Sequence, residues 1–196
     1  MSARRSWLRH TVHGIGFVAL LVAAGYVTQS TPTNDEWQSP IAVSAEVGES
    51  AAGRNIEATV TDVRVARSVA TSNGWSGLTS GIWVVVDATV AAVVEDGVPL
   101  GTAQLQIGSV AYSATLRAES STLADATLST GIPLTGSLAF EIPEAVLTSA
   151  EAADTDIHLA ISADPRSDSM IVVPVDLTAV DIEDAITLDT PEWGQR

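Results

Sequence analysis

The chain of 196 residues contains no cysteine and no lysine. The first absence excludes disulfides, thiolate metal sites, cysteine nucleophiles and any lipid attached through sulfur. The second leaves all fixed positive charge on nine arginines. Arg4, Arg5 and Arg9 precede the first apolar run, so six arginines face all 24 carboxylates in the remainder, a formal −18. A surface of that sign repels nucleic acid, whose binding needs clustered cations to displace counterions. It favours solubility, basic partners or divalent cations. Aromatic residues make up only 5%, and His158 is the one histidine beyond the N-terminal stretch.

What is present is small and β-branched: 46% of the residues are hydrophobic and only 17% charged, with Ala, Val, Thr and Ser filling the rest. The most ordered pattern lies at residues 81–97. Its even positions, Ile82, Val84, Val86, Ala88, Val90, Ala92 and Val94, are all apolar, and the odd set mixes Trp83, Val85, Ala91 and Val93 with Asp87 and Thr89. Period two, six valines between Ile82 and Val94 and a glycine at each end predict a central strand. One of its faces should be buried and the other half covered.

The N-terminus reads as a targeting segment, residues 1–30. A positive region carrying the three arginines is followed by an apolar run of 14 residues, 14–27. As a helix that run spans about 21 Å, and its extension to residues 11–29 about 28 Å, against a hydrocarbon core of about 30 Å. The run continues past the candidate cleavage site Val22-Ala23-Ala24, which predicts an uncleaved N-terminal hydrophobic helix spanning the cell membrane. The alternative is a signal peptide cleaved near Ala24, with secretion of the remainder. Either way the arginines stay inside and the acidic bulk is outside. Residues 31–40, rich in Thr, Pro, Asn and Ser, predict a solvated linker holding Trp37.

The rest predicts a sequence of short strands. Residues 41–47 suggest an irregular edge strand. From Asn55 on, the apolar parity is even through Ile56, Ala58 and Val60, then odd through Val63, Val65 and Val69. That predicts a β-bulge at Thr61-Asp62, with Arg64 and Arg67 outward. Residues 71–81 (Thr-Ser-Asn-Gly-Trp-Ser-Gly-Leu-Thr-Ser-Gly) are the most loop-like part. Leu105 and Ile107, a Gly108-Ser109 turn and a return from Tyr112 to Leu116 form a hairpin. Residues 117–129 are irregular, anchored by Leu123 and Leu128. A half-buried strand follows through Leu138, Phe140 and Ile142, then one to two helical turns over residues 143–154. Ile157, Leu159 and Ile161 form a further strand. Ile171, Val173, Val175 and Leu177 form the last long one, which Pro174 confines to an edge or a local defect. Residues 181–196 form an acidic tail. About seven to nine strands with almost no helix predict an all-β sandwich over residues 41–180, barrel closure being the alternative.

The order of Val47-Gly48-Glu49, residues 56–65, the strand from Trp83 to Val90, Tyr112-Ser113 and the Gly131–Pro143 segment (Gly-x-x-x-x-Gly-x-Leu-x-Phe-x-Ile-Pro) resembles a known family. These are the immunoglobulin-like extracellular domains of unknown function in exported proteins and lipoproteins of Gram-positive bacteria. The resemblance covers roughly residues 41–180 and implies an immunoglobulin-like sandwich with a non-enzymatic role in the cell envelope. It supplies no catalytic, cofactor or metal residues. The chain departs from the lipoproteins in lacking a lipobox cysteine.

Candidate chemistry is sparse. His158 stands beside Asp156 on the outward side of its strand, without a nucleophile in reach of its motif, and no serine lies in a Gly-x-Ser-x-Gly elbow. Glu151, Asp154 and Asp156, and Asp181, Glu183 and Asp184, supply carboxylates for calcium without matching an EF-hand loop. Trp83 packs in the sheet. The expected contact loop is Trp75, Ser76 and Leu78, engaging an envelope protein or polymer. A surface hydrolase with an acidic site and a weak divalent-cation or solute-binding domain are the alternatives.

Overall fold

A computed structural model describes residues 3–30, 38–118 and 121–194. It divides into two compact units, residues 1–39 and 40–196. The first holds a single helix, α1 (Ala3–Ser30). Among the described residues no helix is long and apolar enough to cross a membrane. The transmembrane span expected at the N-terminus is therefore not supported, while the expected N-terminal hydrophobic helix is present as α1 and contains the apolar run of 14 residues. Trp37 and most of the expected linker lie outside the described residues.

The second unit is built from strands β1 (Ile41–Ser44), β2 (Ser50–Ala52), β3 (Ile56–Thr71), β4 (Ser76–Ala92), β5 (Val98–Pro99), β6 (Thr102–Ile107) and β7 (Val110–Ser113). They continue with β8 (Thr127–Leu128), β9 (Leu134–Ile142), β10 (Thr155–Ala160), β11 (Ser169–Val175), β12 (Ile182–Glu183), β13 (Ile186–Leu188) and β14 (Glu192–Trp193). One sheet has the order β1-β11-β10-β6-β7. The other runs β12-β3-β4-β9-β14, with β2 and β13 also on β3; β5 and β8 form a separate pair. The two large sheets share one core, so the unit is a β-sandwich. Ile82, Val84, Val86, Ala88 and Val90 of β4 meet Leu105, Ile157, Leu159 and Ile171 of the facing sheet, the even-numbered set that period two assigns inward.

The bulge expected at Thr61-Asp62 is present: Val60 pairs Ala88 but Asp62 pairs Asp87, leaving Thr61 extra. A second irregularity was not legible. Ala66 pairs Trp83 and the next pair is Ser68 with Leu78, so Arg67 alone opposes residues 79–82. Surplus residues on one strand bend a ribbon, and the end of the β3–β4 hairpin turns back over the outer face of its own sheet. Residues 76–81 are therefore strand rather than loop, with Ser76, Gly77 and Leu78 paired to β3, and Val69 leaves the central core for a second one.

That second core contains Ala66, Val69, Trp83, Val85, Ala118, Ala139, Ile186 and Leu188. The segment expected as an acidic tail is instead a strap: β12 and β13 lie parallel to β3, and β14 pairs β9. Ile186 and Leu188 alternate with exposed Thr187, and this brief period-two stretch covers the face that Trp83 and Val85 present. The middle of β9, residues 136–140, is consequently buried on both faces, Ser137 and Ala139 included, while Thr135 and Glu141 stay exposed. The helical turns after Pro143 are two 3-10 helices, Glu144–Thr148 and Ala150–Asp154. Pro174 lies beyond the last β1 partner, Val172, so its missing N–H faces a locally unpaired edge.

Candidate functional site

The folded-back hairpin tip gathers the sequence-selected residues. Its loop is Ser72-Asn73-Gly74, closed by Thr71 N–H to Trp75 O at 2.9 Å and Gly74 N–H to Thr71 O at 3.1 Å. Gly74 has φ +94°, the left-handed conformation that a three-residue hairpin loop requires at its last position. Asn73 ties the loop down. Its Oδ1 accepts from Thr71 Oγ1 at 2.5 Å and from Trp75 N–H at 3.2 Å, and its Nδ2 donates to the buried Ser121 Oγ at 2.7 Å.

Beyond the loop, side chains alternate. Trp75 points inward and meets Trp83 edge-on, with ring centroids 6.2 Å apart and planes at 82°. Gly77 lies between the two rings; a Cβ there would stand 2.7 Å from Trp75 and 2.8 Å from Trp83. Ser76 and Leu78 point outward, and Leu78 is 79% exposed. The expected contact trio is thus split: Ser76 and Leu78 form the surface, and half-buried Trp75 braces it from beneath.

Three polar residues beside Trp83 were not singled out from the sequence. The Arg117 guanidinium lies 5.3 Å from the Trp83 ring centroid and pairs with Glu141, which also accepts from the Thr79 hydroxyl. The cation adds attraction to the ring face that aromatic burial alone does not supply. Arg117 sits in an irregular segment with no periodicity, so nothing in the sequence marks it. Alongside, Thr79, Ser80, Gly81, Glu141, Pro143 and Glu144 line an open recess of about 510 Å³. Glu144 pairs with Arg67 at 3.3 Å.

A second polar group is internal. Arg64 Nη2 donates to Asp87 Oδ2 at 2.6 Å, and Ser137 Oγ donates to Asp87 Oδ1 at 2.6 Å. Ser137 Oγ in turn accepts from Asp189 N–H at 2.9 Å. The chain of bonds fastens the strap to β9. Arg64, expected outward, is therefore folded against Asp87.

The remaining candidates lie apart. His158 is on β10 of the other sheet, between Val172 and Gln104. Burial pushes its pKa below the usual 6.5, and neighbouring Asp156 opposes the shift. Glu151 is held below the ordinary carboxylate range by its own backbone N–H and by Ser149. Among the described residues no group of three or more His, Cys, Asp or Glu could hold a metal, and this covers both acidic clusters. The arrangement at the tip can make apolar and hydroxyl contacts.

No protein-family model matches the chain, and no curated protein matches it. Among solved structures it is similar to an uncharacterized beta-sandwich protein from Clostridium difficile 630, with 11% identity and a TM-score of 0.43 over 74% of this chain and 99% of that one. The assignment as a β-sandwich rests on the chain's own two packed sheets.

Proposed function

We propose that the sandwich is an exported, immunoglobulin-like module of the cell envelope that acts by contact with a protein or polymer, without catalysis. The contact surface is the outward side of the folded-back hairpin tip, Ser76 and Leu78. One observation carries this reading: Leu78 is 79% exposed although its own ribbon is fixed from beneath by the Trp75–Trp83 contact. Burying that side chain against a partner would contribute about 1.5–3 kcal/mol, at no cost in ordering a ribbon that is already held. Export is supported by the three arginines ahead of the apolar run.

The test is photo-crosslinking on intact cells with a probe placed at position 76, in wild type and in Leu78→Ser. Capture of a discrete envelope product by wild type, lost or reduced about tenfold in the variant, is expected. Equal capture by both would refute the assignment. A probe at exposed Val94, on the turn beyond β4, supplies the control for accessibility and location.

A further inference from the structure

We propose that Asn73 is a site of spontaneous deamidation gated by the hairpin tip: protected while the tip is closed, reactive once it opens. Of the three asparagines, Asn34, Asn55 and Asn73, only Asn73 precedes glycine, the residue that least hinders attack from its own backbone nitrogen.

The chemistry needs only water. The Gly74 nitrogen attacks Asn73 Cγ. The new C–N bond forms as the Cγ–Nδ2 bond breaks, and ammonia departs carrying the Gly74 proton. Water then adds across either C–N bond of the resulting cyclic imide, leaving an aspartyl or an isoaspartyl residue. No electron is gained or lost.

Each atom that must move is held in the closed tip. The Gly74 N–H donates to Thr71 O at 3.1 Å. Asn73 Oδ1 is fixed by Thr71 Oγ1 and Trp75 N–H, and the departing Nδ2 donates to Ser121 Oγ at 2.7 Å. Ring closure requires the amide to swing from these partners onto its own backbone, so it waits for local opening, and its rate follows the open fraction.

Reaction also has a structural consequence. A carboxylate accepts but cannot donate, so the Nδ2 bond to buried Ser121 is lost in its present sense. An isoaspartyl linkage adds a backbone carbon to a loop whose closure depends on the 2.9 Å bond from Thr71 N–H to Trp75 O. An isoaspartyl tip should therefore hold Trp75 less firmly against Trp83, whereas an aspartyl one can still accept from the Ser121 hydroxyl.

The experiment incubates the full chain in mildly alkaline buffer, native and in unfolding urea. The amide-to-acid mass gain of the peptide containing Asn73 is followed, with isoaspartate-specific methylation. The native rate should be at least about tenfold below the unfolded one, an opening free energy above about 1.4 kcal/mol. Ser121→Ala should fall between them, and urea below the unfolding transition should accelerate the native chain in the same way without a substitution. Equal native and unfolded rates, or no acceleration in either the variant or low urea, overturns the gating. An amide that survives in the unfolded chain overturns the site.

Discussion

Gly77 and His158 show how single positions take their meaning from neighbours distant in sequence. A methyl group at position 77 has nowhere to go between two tryptophan rings and Val69, yet the sequence offers Gly77 only as one glycine of a loop-like stretch. His158 is half-buried between uncharged Gln104 and Val172, with Asp156 the carboxylate acting on it. Burial is the larger influence and lowers its pKa below 6.5. The unfolded chain then binds this proton more readily than the folded one. The stability contribution is full above pH 6.5 and is lost as pH falls through that value toward the lower folded one. Melting temperature followed downward from neutral pH should therefore fall less steeply in His158→Gln than in wild type. Identical slopes would show that His158 does not titrate across folding.

At the scale of elements, the C-terminal strap closes the outer face of the β3–β4–β9 sheet. It was legible only as an acidic tail because Ile186-Thr187-Leu188 is too short a repeat to stand out among Asp181, Glu183, Asp184 and Asp189. Its anchor is Leu188, 2% exposed beside Trp83 and Ala139. Leu188→Ala should cost about 2–4 kcal/mol, read from urea unfolding. It should also shift tryptophan emission to the red as water reaches Trp83. A loss below about 0.5 kcal/mol, the range of surface substitutions, would mean that the strap does not cover the sheet. The long hairpin illustrates the other limit. Its first bulge was visible because apolar parity changes at Thr61-Asp62. The second was invisible because Thr79-Ser80-Gly81 breaks the pattern without announcing where pairing resumes. That missed bend is why Trp75 reads as a loop-tip residue in sequence and as a brace in the fold.

At the scale of the whole molecule, 22 carboxylates against six arginines over residues 40–196 give a compact unit that repels itself. Its ion pairs are mostly exposed, as in Arg166–Asp164 and Arg67–Glu144, and such pairs contribute little. Screening should therefore help. Raising salt from about 0.01 M to about 0.15 M shortens the Debye length from about 30 Å to about 8 Å and should raise the melting temperature measured by calorimetry. A fall would mean that the ion pairs outweigh the repulsion.

The sandwich itself was determined by the sequence. Period-two alternation over Ile82–Val90 and over Leu138, Phe140 and Ile142 decides which side chains face the shared core, because successive strand residues must point to opposite sides. The tertiary structure alone decided the second core, the strap and the split of the tip into an inward Trp75 and an outward Leu78. These depend on pairings across more than 100 residues, such as Leu188 with Thr71, and on a change of register at Arg67. Local composition carries no record of either, since register between distant strands is set by what each face must cover.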